Sequence, residues 1–147
     1  MIEVEVEDDA WLQALPDAGA LARRAAEAAL GDLAGDVSVT LTDNATVAEL
    51  NQRFRGKAGS TNVLSFPAAD SARPFLGDVI LARGVCVREA LDGDKPLADH
   101  LTHLVVHGVL HLLGHDHLED AEAEAMEGLE RTILAGLGVP DPYPVPE

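Results

Sequence analysis

The histidines of this chain are concentrated in one segment, and their spacing is typical of metal ligands. All six lie between His100 and His117, and the segment ends in the run His107-Gly-Val-Leu-His111-Leu-Leu-Gly-His115-Asp-His117. Histidines four residues apart on a helix lie on one face about one turn apart, so His107 and His111 can bind a common ion. A third histidine beyond the glycine can complete the set.

The residues around this run indicate which kind of metal site to expect. Gly114 suits the left-handed position that ends a helix, and such a turn could bring His117 toward the first two ligands. Only one of His115 and His117 need point inward, and we expect His115 in a surface loop. Three neutral imidazoles with a fourth position left to water describe a catalytic zinc site, whereas a structural site would be closed by a further ligand, usually Cys. The single cysteine, Cys86, is distant in sequence. Imidazole also suits nickel, copper or iron.

A helical wheel places four of the histidines in one stripe. His100, His103, His107 and His111 lie within about 80° of one another, and the opposite side is apolar, rich in Val and Leu. We therefore expect this helix to pack by its apolar face while the stripe lines a cavity. His103, one turn before the central pair, could support the site or meet substrate, and His100 is expected at the solvent or at an interface.

Two neighbouring positions refine the chemistry. Asp116 can accept a hydrogen bond from the second nitrogen of a ligand imidazole and fix its tautomer, or it can cap the next helix. Zinc proteases of the H-E-x-x-H type carry Glu directly after the first His as general base, and this chain has Gly108 there. A peptidase of that type is therefore disfavoured.

The composition predicts one compact domain over residues 1–147, with an extended proline-rich tail at 138–147. Hydrophobic residues make up 47% and charged residues 24% of the chain, which suffices for a single core. One free cysteine fits a reducing cytoplasm. The acidic, alternating start lacks the features of a signal peptide, and no apolar run reaches the ~20 residues that a membrane helix needs.

The charge limits contact with nucleic acid to a local surface. The net charge is −16, which is the wrong sign for general attraction to a polyanion. Arg53, Arg55 and Lys57 nevertheless lie within five positions. They form either one positive patch on an acidic body or an ordinary helix C-terminus, where cations are favourable.

Hydrophobic periodicity predicts an α+β fold with a small, four-stranded mixed sheet packed with four to five helices. Predicted strands are 2–7, 37–41, 62–66 and 77–82. Predicted helices are 21–30, 46–54, 85–91, the histidine helix beginning near Pro96, and a final helix through Met126, Leu129, Ile133 and Leu137. A Thr46-x-x-Glu49 capping box is expected to open the second helix. The acids from Glu119 to Glu127 are expected on a solvated face of the last helix.

The motif His107-Gly-x-Leu-His111-Leu-x-Gly-x-Asp-His117 resembles the signature of the YbeY family of bacterial rRNA-maturation endoribonucleases. The likeness covers roughly residues 36 to 143. It includes Leu50-Asn-Gln-Arg-Phe-Arg55-Gly-Lys57, Thr61-Asn-Val-Leu-Ser-Phe-Pro67, Leu76-Gly-Asp-Val and the Glu and Met pattern of Glu119 to Glu130. Two departures are the histidine at position 115, commonly Tyr in relatives, and a loop at 56–60 without the usual acid and proline.

The resemblance implies a zinc-dependent, single-strand-specific endoribonuclease that helps mature the 3′ end of 16S rRNA and takes part in ribosome quality control. It implies His107, His111 and His117 as zinc ligands. Arg55 matches the functionally important arginine of the family and would neutralise the scissile phosphate, and Lys57 could contact phosphate. The implied partners are ribosomal RNA, the small ribosomal subunit and a ribosomal protein or assembly GTPase that delivers the substrate.

The residues leave two other functions open. The same histidines could serve a hydrolase of a small molecule or peptide, in which case Arg55 would be dispensable. A non-catalytic assembly factor could instead use zinc only to hold its fold, in which case removal of His111 would unfold the protein. For the ribonuclease, either water or the 2′-hydroxyl of the RNA could be the nucleophile.

Overall fold

A mixed four-stranded sheet forms the centre of the computed structural model, which describes residues 1–115 and 119–142. The strands are β1 (Ile2–Val6), β2 (Asp36–Thr42), β3 (Val63–Pro67) and β4 (Phe75–Ala82), in the order β1-β2-β4-β3. The pairs β1–β2 and β2–β4 are parallel, and β3 pairs antiparallel to β4. The predicted α+β class and mixed sheet are confirmed, and β3 is an edge strand.

Six α-helices accompany the sheet within the described residues. They are α1 (Ala10–Ala14), α2 (Ala18–Leu30), α3 (Asn44–Arg55), α4 (Arg83–Asp92), α5 (Leu97–Leu112) and α6 (Asp120–Gly136). The count exceeds the expected four to five because α1 is only five residues long, which is too short to show a helical period. Its Trp11 is fully buried and donates its indole N–H to the Thr42 carbonyl at 2.9 Å.

Helix α5, which carries the histidine stripe, is packed in the middle of the molecule. It contacts α2, α4, α6, β3 and β4, and ten of its residues are buried. Helix α2 presents buried alanines, and these short side chains allow the two helices to lie close together. The helix that carries the candidate metal ligands is therefore also the main core helix, so the candidate site is built on a rigid element.

The start of α3 differs from the prediction. Asp43, not Thr46, is the N-cap: its Oδ1 accepts a hydrogen bond from the Thr46 backbone N–H at 2.7 Å. That bond lowers the pKa of the Asp43 carboxyl below its usual range. Glu49 pairs with Arg53 one turn later instead of reaching back to the helix start. The capping-box prediction was wrong because an acid three residues earlier satisfies the same donor.

Gly108 allows α5 to approach the sheet. A Cβ atom at this position would lie 2.6 Å from Val79 Cγ1 and 3.2 Å from Ser65 Oγ. Ser65 also donates a hydrogen bond from its Oγ to the Gly108 carbonyl at 2.9 Å. The position that carries a glutamate in H-E-x-x-H proteases thus faces the sheet here and has no room for a side chain.

We expect Gly108→Ala to lower the free energy of unfolding by about 1–3 kcal/mol, because overpacking against the buried Val79 outweighs the better helix propensity of Ala. Urea denaturation of the metal-free protein would measure the change. Gly128→Ala in α6 is the matched control, since a Cβ there meets nothing within 4 Å. Equal stability of the two variants would contradict the close-approach explanation.

No helix within 1–115 and 119–142 is long and apolar enough to cross a membrane. Residues 139–142 follow α6 without regular structure, and the rest of the predicted proline-rich tail, 143–147, lies outside the described residues.

Candidate metal centre

His107 and His111 lie together on one face of α5, as their spacing predicts. Their Nε2 atoms are 3.0 Å apart, and the two rings meet edge to face with centroids 4.6 Å apart. Two imidazole nitrogens on one tetrahedral zinc ion would lie about 3.3 Å apart, because each Zn–N bond is about 2.0–2.1 Å. The spacing of these two nitrogens is therefore close to that of two ligands of one ion.

Glu130 of α6 fixes the orientation of His107. Its Oε1 lies 2.5 Å from His107 Nδ1, and the side chain is completely buried. This contact is a hydrogen bond with Nδ1 as donor, which leaves the lone pair of His107 on Nε2, the nitrogen that faces His111. A carboxylate on the far nitrogen of a ligand imidazole fixes its tautomer and raises its basicity.

His103 completes a cluster of three residues from two helices. Its Nε2 lies 3.4 Å from Glu130 Oε2, and its side chain is 12% exposed. The candidate ligand atoms of His103, His107 and Glu130 all lie within 4.8 Å of one another, so this group could hold a metal ion. His103 also lines an open cavity of 480 Å³ between the α4–α5 loop and residues 139–142.

The distances favour Glu130 as a hydrogen-bond partner of His107 over Glu130 as a further metal ligand. The 2.5 Å separation of Glu130 Oε1 and His107 Nδ1 is much shorter than the ~3.3 Å between two ligands of a tetrahedral ion, and it suits a charge-assisted hydrogen bond. The Nε2 atoms of His107 and His111 have the spacing of ligands. The donor set therefore fits a metal ion bound by imidazole nitrogens and supported by a buried carboxylate.

Two of the three remaining histidines, His100 and His115, lie within the described residues. His100, expected at the solvent or an interface, is buried at 5% exposure, and its Nε2 lies 2.9 Å from Glu89 Oε1. Burial lowers the pKa of its imidazole, against the opposing effect of Glu89. The expectation was wrong because the start of α5 is covered by α4. His115 is half-buried after the helix. His117 and Asp116 lie outside the described residues.

The end of α5 forms the turn that the sequence predicts. Gly114 has a φ of 96°, in the left-handed region. The His115 N–H donates to the Leu110 carbonyl, and the Gly114 N–H donates to the His111 carbonyl, both at 3.1 Å. These are the two bonds of a Schellman motif, which reverses the chain after a helix. His111 is thus held in the last turn, directly before that reversal.

The basic cluster lies at the C-terminus of α3. Arg55 is the last residue of the helix, and Gly56 follows with a φ of 65° as its left-handed cap. Asn51, which is buried, holds the following loop by donating from Nδ2 to the Gly59 carbonyl at 2.9 Å. Arg55 and Lys57 are exposed. Neither side chain makes a hydrogen bond or ion pair within the described residues.

Edge strand β3 contacts both helices that carry predicted site residues, α5 on one face and α3 on the other. Its Ser65 faces α5 through the bond to Gly108, whereas Leu64 and Phe66 belong to the apolar cluster under α3. No hydrogen bond or ion pair among the described residues joins Arg55 or Lys57 to the histidines. The structure thus brings His103, His107 and His111 together, and it places α3, whose C-terminus carries the basic cluster, on the opposite face of the sheet from α5.

Glu130 is the one residue of this centre to which the sequence analysis gave no role. The signal was present: residue 130 lies four positions after the buried Met126 and three before Ile133, so it falls on the apolar stripe of α6. A charged residue there is buried and needs a partner. The outer acids from Glu119 to Glu124 are exposed, as expected.

Known proteins resemble this chain over almost its whole length. The model of the family described as Endoribonuclease YbeY matches residues 3–138. The Endoribonuclease YbeY of Parvibaculum lavamentivorans is 56% identical in an alignment of 137 positions that covers 82% of this chain and 74% of the relative. That of Azorhizobium caulinodans is 54% identical in a gapped alignment of 155 positions that covers 99% of this chain and 97% of the relative. The solution structure of TM1509 from Thermotoga maritima shares the fold, with a TM-score of 0.58, 24% identity and coverage of 99% and 100% of the two chains.

Proposed function

This chain belongs to the Endoribonuclease YbeY family, and on that premise we propose that it is a zinc-dependent, single-strand-specific endoribonuclease. We propose further that it matures the 3′ end of 16S rRNA and takes part in ribosome quality control. The runner-up functions, a small-molecule or peptide hydrolase and a non-catalytic assembly factor, have no specific observation in their favour.

The observation that carries the proposal is the line of contacts from Glu130 through His107 to His111. A buried carboxylate on His107 Nδ1 and two Nε2 atoms 3.0 Å apart fit a metal ion bound by histidines. We propose His107, His111 and His117 as the ligands. Asp116 is then a candidate partner for the second nitrogen of a ligand imidazole. A zinc ion held there would supply Lewis acidity toward a phosphate oxygen.

The other side chains have separate roles in the proposed reaction. Glu130 holds the His107 tautomer, and His103, which contacts the same carboxylate and lines the cavity, is a candidate for substrate contact. Arg55 and Lys57 would bind the phosphodiester backbone, with Arg55 neutralising charge at the scissile phosphate in the transition state. If the 2′-hydroxyl of the RNA is the nucleophile, the products carry a cyclic phosphate and DNA resists cleavage. Linear products, or equal cleavage of DNA, would instead indicate attack by water.

The acidity of the chain bears on how substrate arrives. A net charge of −16 repels free RNA except at the basic cluster. We therefore propose that a ribosomal protein or an assembly GTPase of the small ribosomal subunit delivers the RNA. The place of action we propose is the cytoplasm, where a single free thiol such as Cys86 stays reduced.

Mapping of 16S rRNA 3′ ends tests the proposed function. Cells depleted of the protein should accumulate 3′-extended 16S rRNA, wild-type protein should remove the extension, and the Arg55→Ala variant should not. Normal 3′ ends in the depleted cells would exclude the role in 16S maturation.

Replacement of His111 separates a catalytic metal from a structural one. We expect His111→Ala to lose zinc and RNA cleavage, but to melt close to the metal-free wild type, because α5 is held by its buried apolar residues. Thermal melting with and without a chelator, beside a cleavage assay, would measure this. An unfolded His111→Ala protein, or a wild type that unfolds when zinc is chelated, would point to a structural metal.

A further inference from the structure

Phe54 is a large aromatic side chain that the fold leaves in solvent. It lies in the last turn of α3 and is 61% exposed. Among the residues that the structure describes, its one aromatic neighbour is Phe66 of β3, which meets it edge to face, with centroids 5.6 Å apart and an interplanar angle of 64°. The Arg53 guanidinium lies 5.8 Å from the ring centroid. An exposed ring therefore lies next to a cation, in the helix turn that also carries Arg55.

The parts of the structure next to the Phe54 ring, β3 and the loop after α3, are rigid. Phe66 packs on the buried cluster of Val47, Leu64 and Ala82. The loop after the helix is fixed by the left-handed Gly56 cap and by Asn51, which binds the Gly59 carbonyl. A ring held in this way loses little conformational entropy when a flat partner settles on it.

The charges around the ring identify the partner. The chain carries a net charge of −16, yet Arg53, Arg55 and Lys57 surround Phe54 in sequence. Arg55 and Lys57 make no side-chain ion pair within the described residues, so both remain available to an anion. Phosphate groups can pair with the cations, and an unpaired base can stack on the ring. This combination of an aromatic face with a positively charged surface is how proteins bind single-stranded nucleic acid.

We propose that Phe54 is a stacking platform for an unpaired RNA base and that it confers the preference for single strands. The proposal rests on the proposed ribonuclease function and adds a specificity-determining residue to it. In a duplex, each base face is covered by its neighbours, so Phe54 has nothing on which to stack. The cations alone would bind both forms, because phosphate is common to both.

Binding of a 12-nucleotide, 2′-O-methyl RNA to the zinc-loaded protein tests the proposal, with the strand free or annealed to its complement. We expect Phe54→Leu, which keeps an apolar side chain but removes the aromatic face, to weaken single-strand binding about 10-fold. The duplex affinity should hardly change. Phe54→Tyr should bind like the wild type. An unchanged single-strand affinity in Phe54→Leu would overturn the proposal.

A spectroscopic readout makes the stacking itself visible. Phe54→Trp should show fluorescence quenching when the single strand is added and much less quenching when the strand is abasic. The native Trp11 is fully buried, so the wild type gives the background signal. Absence of quenching in Phe54→Trp would overturn the stacking role and favour a protein partner at this surface.

Failure of the platform and failure of the proposed function give different results. A wild-type protein that binds and cleaves single-stranded RNA while Phe54→Leu does so equally well removes only the platform. A wild type that neither binds nor cleaves any single-stranded RNA overturns both proposals.

Discussion

Glu130→Gln is expected to lower the affinity for zinc about 10- to 100-fold while the fold is retained. The substitution keeps the shape of a completely buried side chain but removes the charge that accepts the proton of His107 Nδ1. A neutral amide makes His107 less basic, and it can also present N–H groups that the His107 Nδ1–H cannot satisfy. Competition with a chelating dye would measure the zinc affinity, and RNA cleavage at limiting zinc should fall in parallel.

Two further variants separate the carboxylate from general effects of charge and volume. Glu124→Gln alters an exposed acid of the same helix and should leave zinc affinity unchanged. Glu130→Ala should lose zinc affinity and also stability, because it leaves a cavity in the core. If Glu130→Gln binds zinc as tightly as the wild type, the carboxylate does not support the metal ligands.

Arg55→Ala is expected to reduce the rate of RNA cleavage by about 10²–10³-fold, the usual loss when one preorganised donor to a developing charge is removed. Arg55 is exposed and makes no side-chain hydrogen bond or ion pair in the described chain, so its loss should cost little stability. Zinc affinity should be unchanged, because no hydrogen bond or ion pair among the described residues joins Arg55 to His103, His107 or His111. Single-turnover cleavage of a labelled single-stranded RNA would measure the rate.

Arg88→Ala is the matched control for this variant, since Arg88 is also an exposed arginine but lies on α4. It should cleave at the wild-type rate. Arg55→Lys should recover only part of the rate, because an ammonium group keeps the charge without the two-pronged geometry of a guanidinium. Cleavage by Arg55→Ala at the wild-type rate would show that Arg55 has no part in the chemistry.

Short sequence patterns predicted the features that depend only on residues close together in the chain. The four-residue spacing of His107 and His111 was enough to place them on one face, and Gly114 was enough to indicate the turn that ends α5. The strands were recognised from alternation and the helices from their period. Helix α1 was missed because five residues are too few for a period, and Asp43 displaced the expected cap because two acceptors competed for one donor.

Contacts between distant elements escaped the sequence analysis. The partner of His107 is an acid on another helix, and only its place on the apolar stripe of α6 marks it. His100 was misplaced for a similar reason: the helical wheel gives its direction but not the fact that α4 covers it. The packing of α3 and α5 on opposite faces of the sheet depends on the fold as a whole, which no motif encodes.

The open edge of β3 has a consequence for colloidal behaviour. An edge strand offers unpaired backbone groups on which another chain can add, and proteins usually protect such edges with charge, proline or a cover. In the described sheet this edge ends at Pro67, a residue type that protects strand edges. A net charge of −16 repels a second copy. The net acidity of the chain therefore also disfavours self-association through this edge strand.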